Sequence, residues 1–169
     1  AVIALVGRMV VLFALLMLVP LAFAITRHDA AEQTFLISIA VTVGAGVVMS
    51  LATRRFRREL HVRDGFMLVA LTWAVLPAFG AVPIYLSIDG IGVADAYFEA
   101  VSGFTATGAT VLSGLDDLPL SVNVWRCFMT LIGGLGIIVL AVAILPLLGV
   151  GGAQLFKAEA AGPMKDTKL

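Results

Sequence analysis

Six consecutive residues, Thr105-Ala106-Thr107-Gly108-Ala109-Thr110, offer oxygen atoms and little else. Gly108 is the one residue among them that can take φ > 0 at no steric cost, which lets successive carbonyls face a single axis. The hydroxyls of Thr105, Thr107 and Thr110 could add oxygens to that set or tie the run to its surroundings. Oxygen-rich backbone of this kind is how a filter for a hard cation such as potassium or sodium is built. The run follows a short apolar segment and lies between two membrane-length hydrophobic stretches. In hydrocarbon every N–H and C=O must find a partner, so flexible polar backbone survives only when buried in protein or lining a watery cavity. Ion conduction is the chemistry that fits. A glycine in an apolar Ser/Thr run can equally be a packing or turn position in a helix, and the flanking elements decide between the two.

Those elements belong in a membrane. Of the 169 residues, 61% are hydrophobic and 13% charged, against about half and about a quarter in a soluble domain. A spanning helix needs about 20 predominantly apolar residues, and spans are predicted over 2–25, 35–52, 66–86 and 124–148. Pro77 and Pro83 interrupt the third, and Pro146 lies near the end of the fourth. Val93 to Phe104 is too short to cross and fits a re-entrant half-helix, with Asp95 as its N-cap and Glu99 near the positive end of its dipole. Its C-terminal end would point toward the membrane centre, where the negative end of the dipole favours a cation. Arg8, the apolar run and Ala22-Phe23-Ala24 imitate a signal peptide. Pro20, the bulky Phe23 and a second span close behind favour a retained helical hairpin turning at Thr26 to Thr34.

Charge gives the orientation. Arg8, Arg54, Arg55, Arg57, Arg58, Arg63, Lys157, Lys165 and Lys168, nine of the eleven basic residues, share one face if the spans alternate and the short segment does not cross. The positive-inside rule makes that face cytoplasmic, with both ends of the segment inside. Only Arg27 and Arg126 fall opposite, among Asp29, Glu32, Asp89, Asp95, Glu99, Asp116 and Asp117, an outer surface that would attract cations. Trp125, Tyr85 and Tyr97 sit where an aromatic belt would, and Trp73 is deeper, in packing. The formal net charge of zero carries no signal for nucleic acid. Cys127 stands alone, which excludes an intramolecular disulfide and a cysteine metal cluster, and is expected to pack as a small hydrophobe. His28 and His61 have no companions at metal-ligand spacing, and no catalytic set lies within the spans.

Gly133, Gly134 and Gly136 lie within the fourth span, where small residues allow close helix packing or a gating hinge. Gly149-Val150-Gly151-Gly152 imitates a nucleotide-binding loop but follows a membrane helix rather than a strand, so that reading is rejected. The fold class is therefore an all-α integral membrane protein, an N-terminal transmembrane hairpin followed by one helix–re-entrant pore loop–helix unit. Its expected parts are a hairpin with a basic loop (1–60), the pore-loop repeat (61–150) and a cytoplasmic segment (151–169).

Three stretches carry a family resemblance. They run from Asp95 through Tyr97, Glu99 and Gly103 to Thr110, from Gly133-Gly134-Leu135-Gly136 to Pro146, and from Leu148 to Glu159. Together they closely resemble the first part of the TrkH/TrkG branch of the bacterial Trk/Ktr/HKT potassium transporter superfamily. The extra hairpin ahead of the pore unit favours this branch over the Ktr type. The resemblance implies four covalently joined helix–pore–helix repeats around one ion path, with potassium as substrate and no covalent cofactor. It makes Gly108 the filter glycine of the first repeat, with potassium held through the backbone of Thr107, Gly108 and Ala109. It also implies a multi-pass protein of the bacterial inner membrane that pairs as a homodimer and docks a cytosolic nucleotide-binding regulatory subunit. Ala106 departs from the family pattern, where threonine is common, and Leu131 stands where an aromatic is common. One repeat alone supplies one quarter of the ring, so the chain is expected to be part of a longer protein. A homotetrameric cation-channel subunit and a non-transporting membrane scaffold are the alternatives.

Overall fold

The structure, a computed structural model, describes residues 2–53 and 61–144. Arg54, Arg55, Arg57 and Arg58 of the basic loop lie outside the described residues. So do Pro146, Gly149 to Gly152, Lys157, Lys165 and Lys168. The described residues form helices α1 (Val2–Leu16), α2 (Leu18–Arg27), α3 (Glu32–Ala52), α4 (Val62–Ser87), α5 (Val93–Phe104) and α6 (Leu120–Ile144). A single 3₁₀ turn, Leu115–Asp117, precedes α6. Among the described residues, four segments are long and apolar enough to cross a membrane: Val2–Arg27, Glu32–Ala52, Arg63–Ser87 and Leu120–Leu140.

The first of these is two helices. Pro20 has no N–H to donate to the Leu16 carbonyl, and its ring crowds that oxygen. Helix α1 accordingly ends at Leu16, Met17 bonds back only to Ala14, and Leu21 resumes the ladder onto Met17. Pro77 and Pro83, by contrast, sit inside a continuous α4. Helix α4 opens on a capping box, in which the His61 N–H donates to Asp64 Oδ2 at 3.0 Å.

Gly7 of α1 lies against Gly46 of α3, and a Cβ on either would stand under 3 Å from the other's carbonyl oxygen. Further along, Met17 meets Thr42, so α3 runs opposite in direction to α1. Val2, Val6 and Val10 continue this seam against Leu68, Leu71 and Val75 of α4. A second cluster gathers the ends that matter for the site. Phe13 lies 5.5 Å from Phe104 and 5.4 Å from Trp125, ring centre to ring centre, and Trp73 meets Phe104 edge-on. Trp125 is fully buried and its indole N–H donates to the Gly80 carbonyl at 2.9 Å. It is a core residue, not part of an aromatic belt. A buried indole needs that acceptor, and the spacing of aromatics in the sequence does not disclose it.

Large apolar side chains stay on the outside, Leu12 and Val48 among them at 62% and 65% exposure. Such surface is costly in water and neutral against lipid tails. The residues up to Gly133 form one compact unit, and from Gly134 the described chain is the remainder of helix α6.

Candidate functional site

Helix α5 delivers the oxygen-rich run. Its buried residues, Ala96, Glu99, Ala100, Ser102 and Phe104, recur at helical spacing and face the core. Gly92 is its N-cap, and Asp95 lies in the first turn rather than at the cap. The expected capping role of Asp95 is thus corrected. Helix formation starts at Val93 because Ala96 already donates to the Gly92 carbonyl.

At its other end α5 closes with a complete Schellman motif. The Ala106 N–H donates to Gly103 O and the Thr107 N–H to Ser102 O. Such a closure requires a left-handed residue in the Ala106 position, where glycine is usual. Ala106 has φ 54°, and Gly108 has φ 75°. Gly108 therefore is not alone in taking positive φ, and the alanine does so at a cost of about 1 kcal/mol. A Cβ on Gly108 would meet nothing within 4 Å, so backbone angle rather than space selects glycine there.

Beyond Gly108 the chain is tied down by side chains. The Ser102 hydroxyl donates to Ala109 O at 2.6 Å. Glu99 Oε1 accepts from the Thr110 hydroxyl and from the Val111 N–H, both at 2.6 Å. Glu99 Oε2 accepts from Arg126 Nε and Nη2 of α6 at 3.2 and 3.0 Å. The carboxylate is 1% exposed, and removing one partner of so buried a pair costs about 3–5 kcal/mol. Asn123 completes the anchoring by donating to Leu115 O. Behind Gly108 and Ala109 a cavity of about 120 Å³ opens toward Glu99, Arg126 and Thr130.

All six residues from Thr105 to Thr110 are exposed. Their hydroxyls are largely committed to the protein: Thr105 donates to Val101 O and lies 2.7 Å from the Thr107 hydroxyl. Thr110 donates to Glu99 and accepts from Leu112 N–H and Arg126 Nη2. Gly133 brings α6 so close to α5 that a Cβ there would overlap the Phe104 carbonyl, whereas one on Gly134 would meet nothing within 4 Å. Cys127 is exposed, not packed. The acid-rich surface is also smaller than the sequence implies. Glu99 is buried, and Asp29 is engaged with the Ser121 N–H and hydroxyl at the start of α6, both at 2.9 Å. Sequence reasoning missed the Glu99–Arg126 link, although one acid inside an apolar half-helix and one base inside a span was the available signal.

The family model described as TrkH, Cation transport protein, matches residues 31–169. The chain belongs to this family. The Trk system potassium uptake protein TrkH of Vibrio parahaemolyticus is 45% identical over 170 residues, covering 100% of this chain and 35% of that protein. Its counterpart in Escherichia coli K12 is 44% identical over 97% of the chain and 34% of its own length. TrkG of the same organism is 38% identical over 96% and 34%. The crystal structure of the potassium transporter TrkH from Vibrio parahaemolyticus superposes with a TM-score of 0.81 at 42% identity, covering 93% of this chain and 35% of that one. The chain thus spans about a third of the length of the curated relatives it matches. With four spanning-capable segments among its described residues, it is a multi-pass membrane protein of the TrkH family.

Proposed function

We propose that this chain contributes one wall of a potassium path in a bacterial uptake system, with Thr105 to Thr110 lining it. One observation carries the reading. A run of exposed, small-residue backbone hangs between two anchored ends, with Gly108 at φ 75° in its middle. Such backbone inside an apolar helical protein requires a water-filled or ion-filled cavity. The carbonyls of Thr107, Gly108 and Ala109 are the proposed potassium ligands. Ala109 O accepts one hydrogen bond from Ser102, which leaves a second lone pair for an ion. Potassium is the choice of cation because the relatives are named potassium uptake proteins.

On this reading α5 enters from the outer face as a re-entrant half-helix and the loop returns to that face. The basic face is cytoplasmic, in the inner membrane, and the segments 1–60, 61–150 and 151–169 are the hairpin, pore repeat and cytoplasmic continuation. Three further pore repeats close the ring, and a homodimer with a cytosolic nucleotide-binding regulatory subunit is the proposed assembly. Gly134 and Gly136 are the candidate hinges, and the system transports rather than catalyses. Replacing Gly108 by serine in the full-length protein tests the proposal. The expected result is a lowered preference for potassium over sodium uptake. Unchanged preference at normal expression would overturn it.

A further inference from the structure

We infer that Glu99 and Arg126 are positioning residues for cation discrimination, fixing the outer limb of the loop at Thr110 and Val111. The inference rests on reading Thr105 to Thr110 as the ion-lining segment. Glu99 is no ligand of an ion: it is buried, and both oxygens are occupied by protein donors, two on each. A carboxylate has acceptor capacity for four such donors and no hydrogen of its own. It joins three pieces of chain, namely α5, the loop and α6. Arg126 Nη2 also donates to Thr110 Oγ1 at 3.3 Å, so the guanidinium and the carboxylate both hold the same hydroxyl.

Elsewhere the loop is held at its start and by one tie in mid-run, the Ser102 hydroxyl on Ala109 O. The Schellman motif fixes Ala106 and Thr107. Among the described residues no hydrogen bond joins Gly108 to a side chain, and a cavity lies behind it. The place of Gly108 and of the carbonyls beside it is therefore set jointly by the Schellman closure, the Ser102 tie to Ala109 and the pinning of the outer limb at Thr110 and Val111. Discrimination between ions needs a site held to about 0.5 Å. A carboxylate at position 99 meets that need because donors converge on it from both sides. A neutral amide would bring N–H groups against one set of those donors, so it could satisfy Arg126 or the loop, but not both.

The test uses the full-length protein in proteoliposomes, with potassium influx measured against concentration and in competition with sodium. E99Q is expected to raise the half-saturating potassium concentration and to lower potassium-over-sodium preference, each about tenfold. Maximal flux per assembled protein should change far less. R126K keeps the charge but loses the planar fork, and should fall between E99Q and the unaltered protein. T110V deletes one hydroxyl and leaves the ion pair whole, and should lower preference about threefold. If E99Q does not assemble, R126K decides: unaltered half-saturation and preference there would overturn the inference, because Arg126 lies outside the ion-lining run. Assembled E99Q and T110V with unaltered half-saturation and preference, while G108S shifts preference, would overturn the inference and leave the loop reading intact. Unaltered preference in G108S as well would overturn both.

Discussion

Ala106 shows how a single residue can pay for a backbone turn. Its left-handed φ of 54° is forced by the hydrogen bonds that end α5. Replacing Ala106 by glycine should therefore stabilise the protein by up to about 1 kcal/mol, offset in part by the entropy glycine adds to the unfolded chain. A thermal melt of the full-length protein in detergent, followed by loss of the monodisperse peak, measures this. A lower melting point for A106G would show that the alanine methyl makes a contact worth more than the strain. Gly108 was legible from sequence because glycine advertises its freedom. Ala106 was not, since nothing in an alanine announces positive φ and the demand comes from the Ser102 and Gly103 carbonyls.

Between elements, the contact with a pH signature is Asp29 with the start of α6. Burial pushes the Asp29 carboxyl up, but the Ser121 N–H, the Ala31 N–H and the Ser121 hydroxyl together hold it below its ordinary value of 3.8. A carboxylate favoured in the folded state stabilises fully above that ordinary value, and the contribution disappears as pH falls below it. D29N should cost about 1 kcal/mol near neutral pH, as loss of a helix cap does. The difference from the unaltered protein should close below pH 3.8. Melts from neutral pH down to about 3 check this, and a gap that persists through the acid range would contradict it. The same link explains what sequence could and could not yield at this scale. Residues 93–104 were bounded correctly by their length and flanks. Helices α3, α4 and α6 begin earlier than their apolar windows because polar first turns, such as Glu32-Gln33 and Ser121-Asn123, fold as helix too. Pairings such as Asp29 with Ser121 or Trp125 with Gly80 join residues far apart in the chain and leave no local periodicity.

For the whole molecule, the exposed small-residue loop and the apolar outer surfaces of the helices ask for different surroundings, water or ions for one and lipid or protein for the other. The proposed path has one wall here, so the 169-residue chain reconstituted by itself should give no potassium flux above empty vesicles. Flux from this chain alone, with four copies counted by native mass spectrometry, would favour a self-assembling channel instead. Fold class was legible from composition because lipid imposes long apolar segments. The way the N-terminal helices brace the loop was not, since it depends on Phe13 meeting both Phe104 and Trp125. Gly133 adds a mechanical rule. It is the point at which the backbones of α5 and α6 touch, with the Phe104 carbonyl seated on the bare α-carbon. Sliding α6 by one turn, about 5.4 Å, would bring Met129 or Ile137 to that spot in place of a hydrogen. The two helices are thus keyed like a tooth in a slot, a fit that opposes sliding of α6 along α5 at this junction.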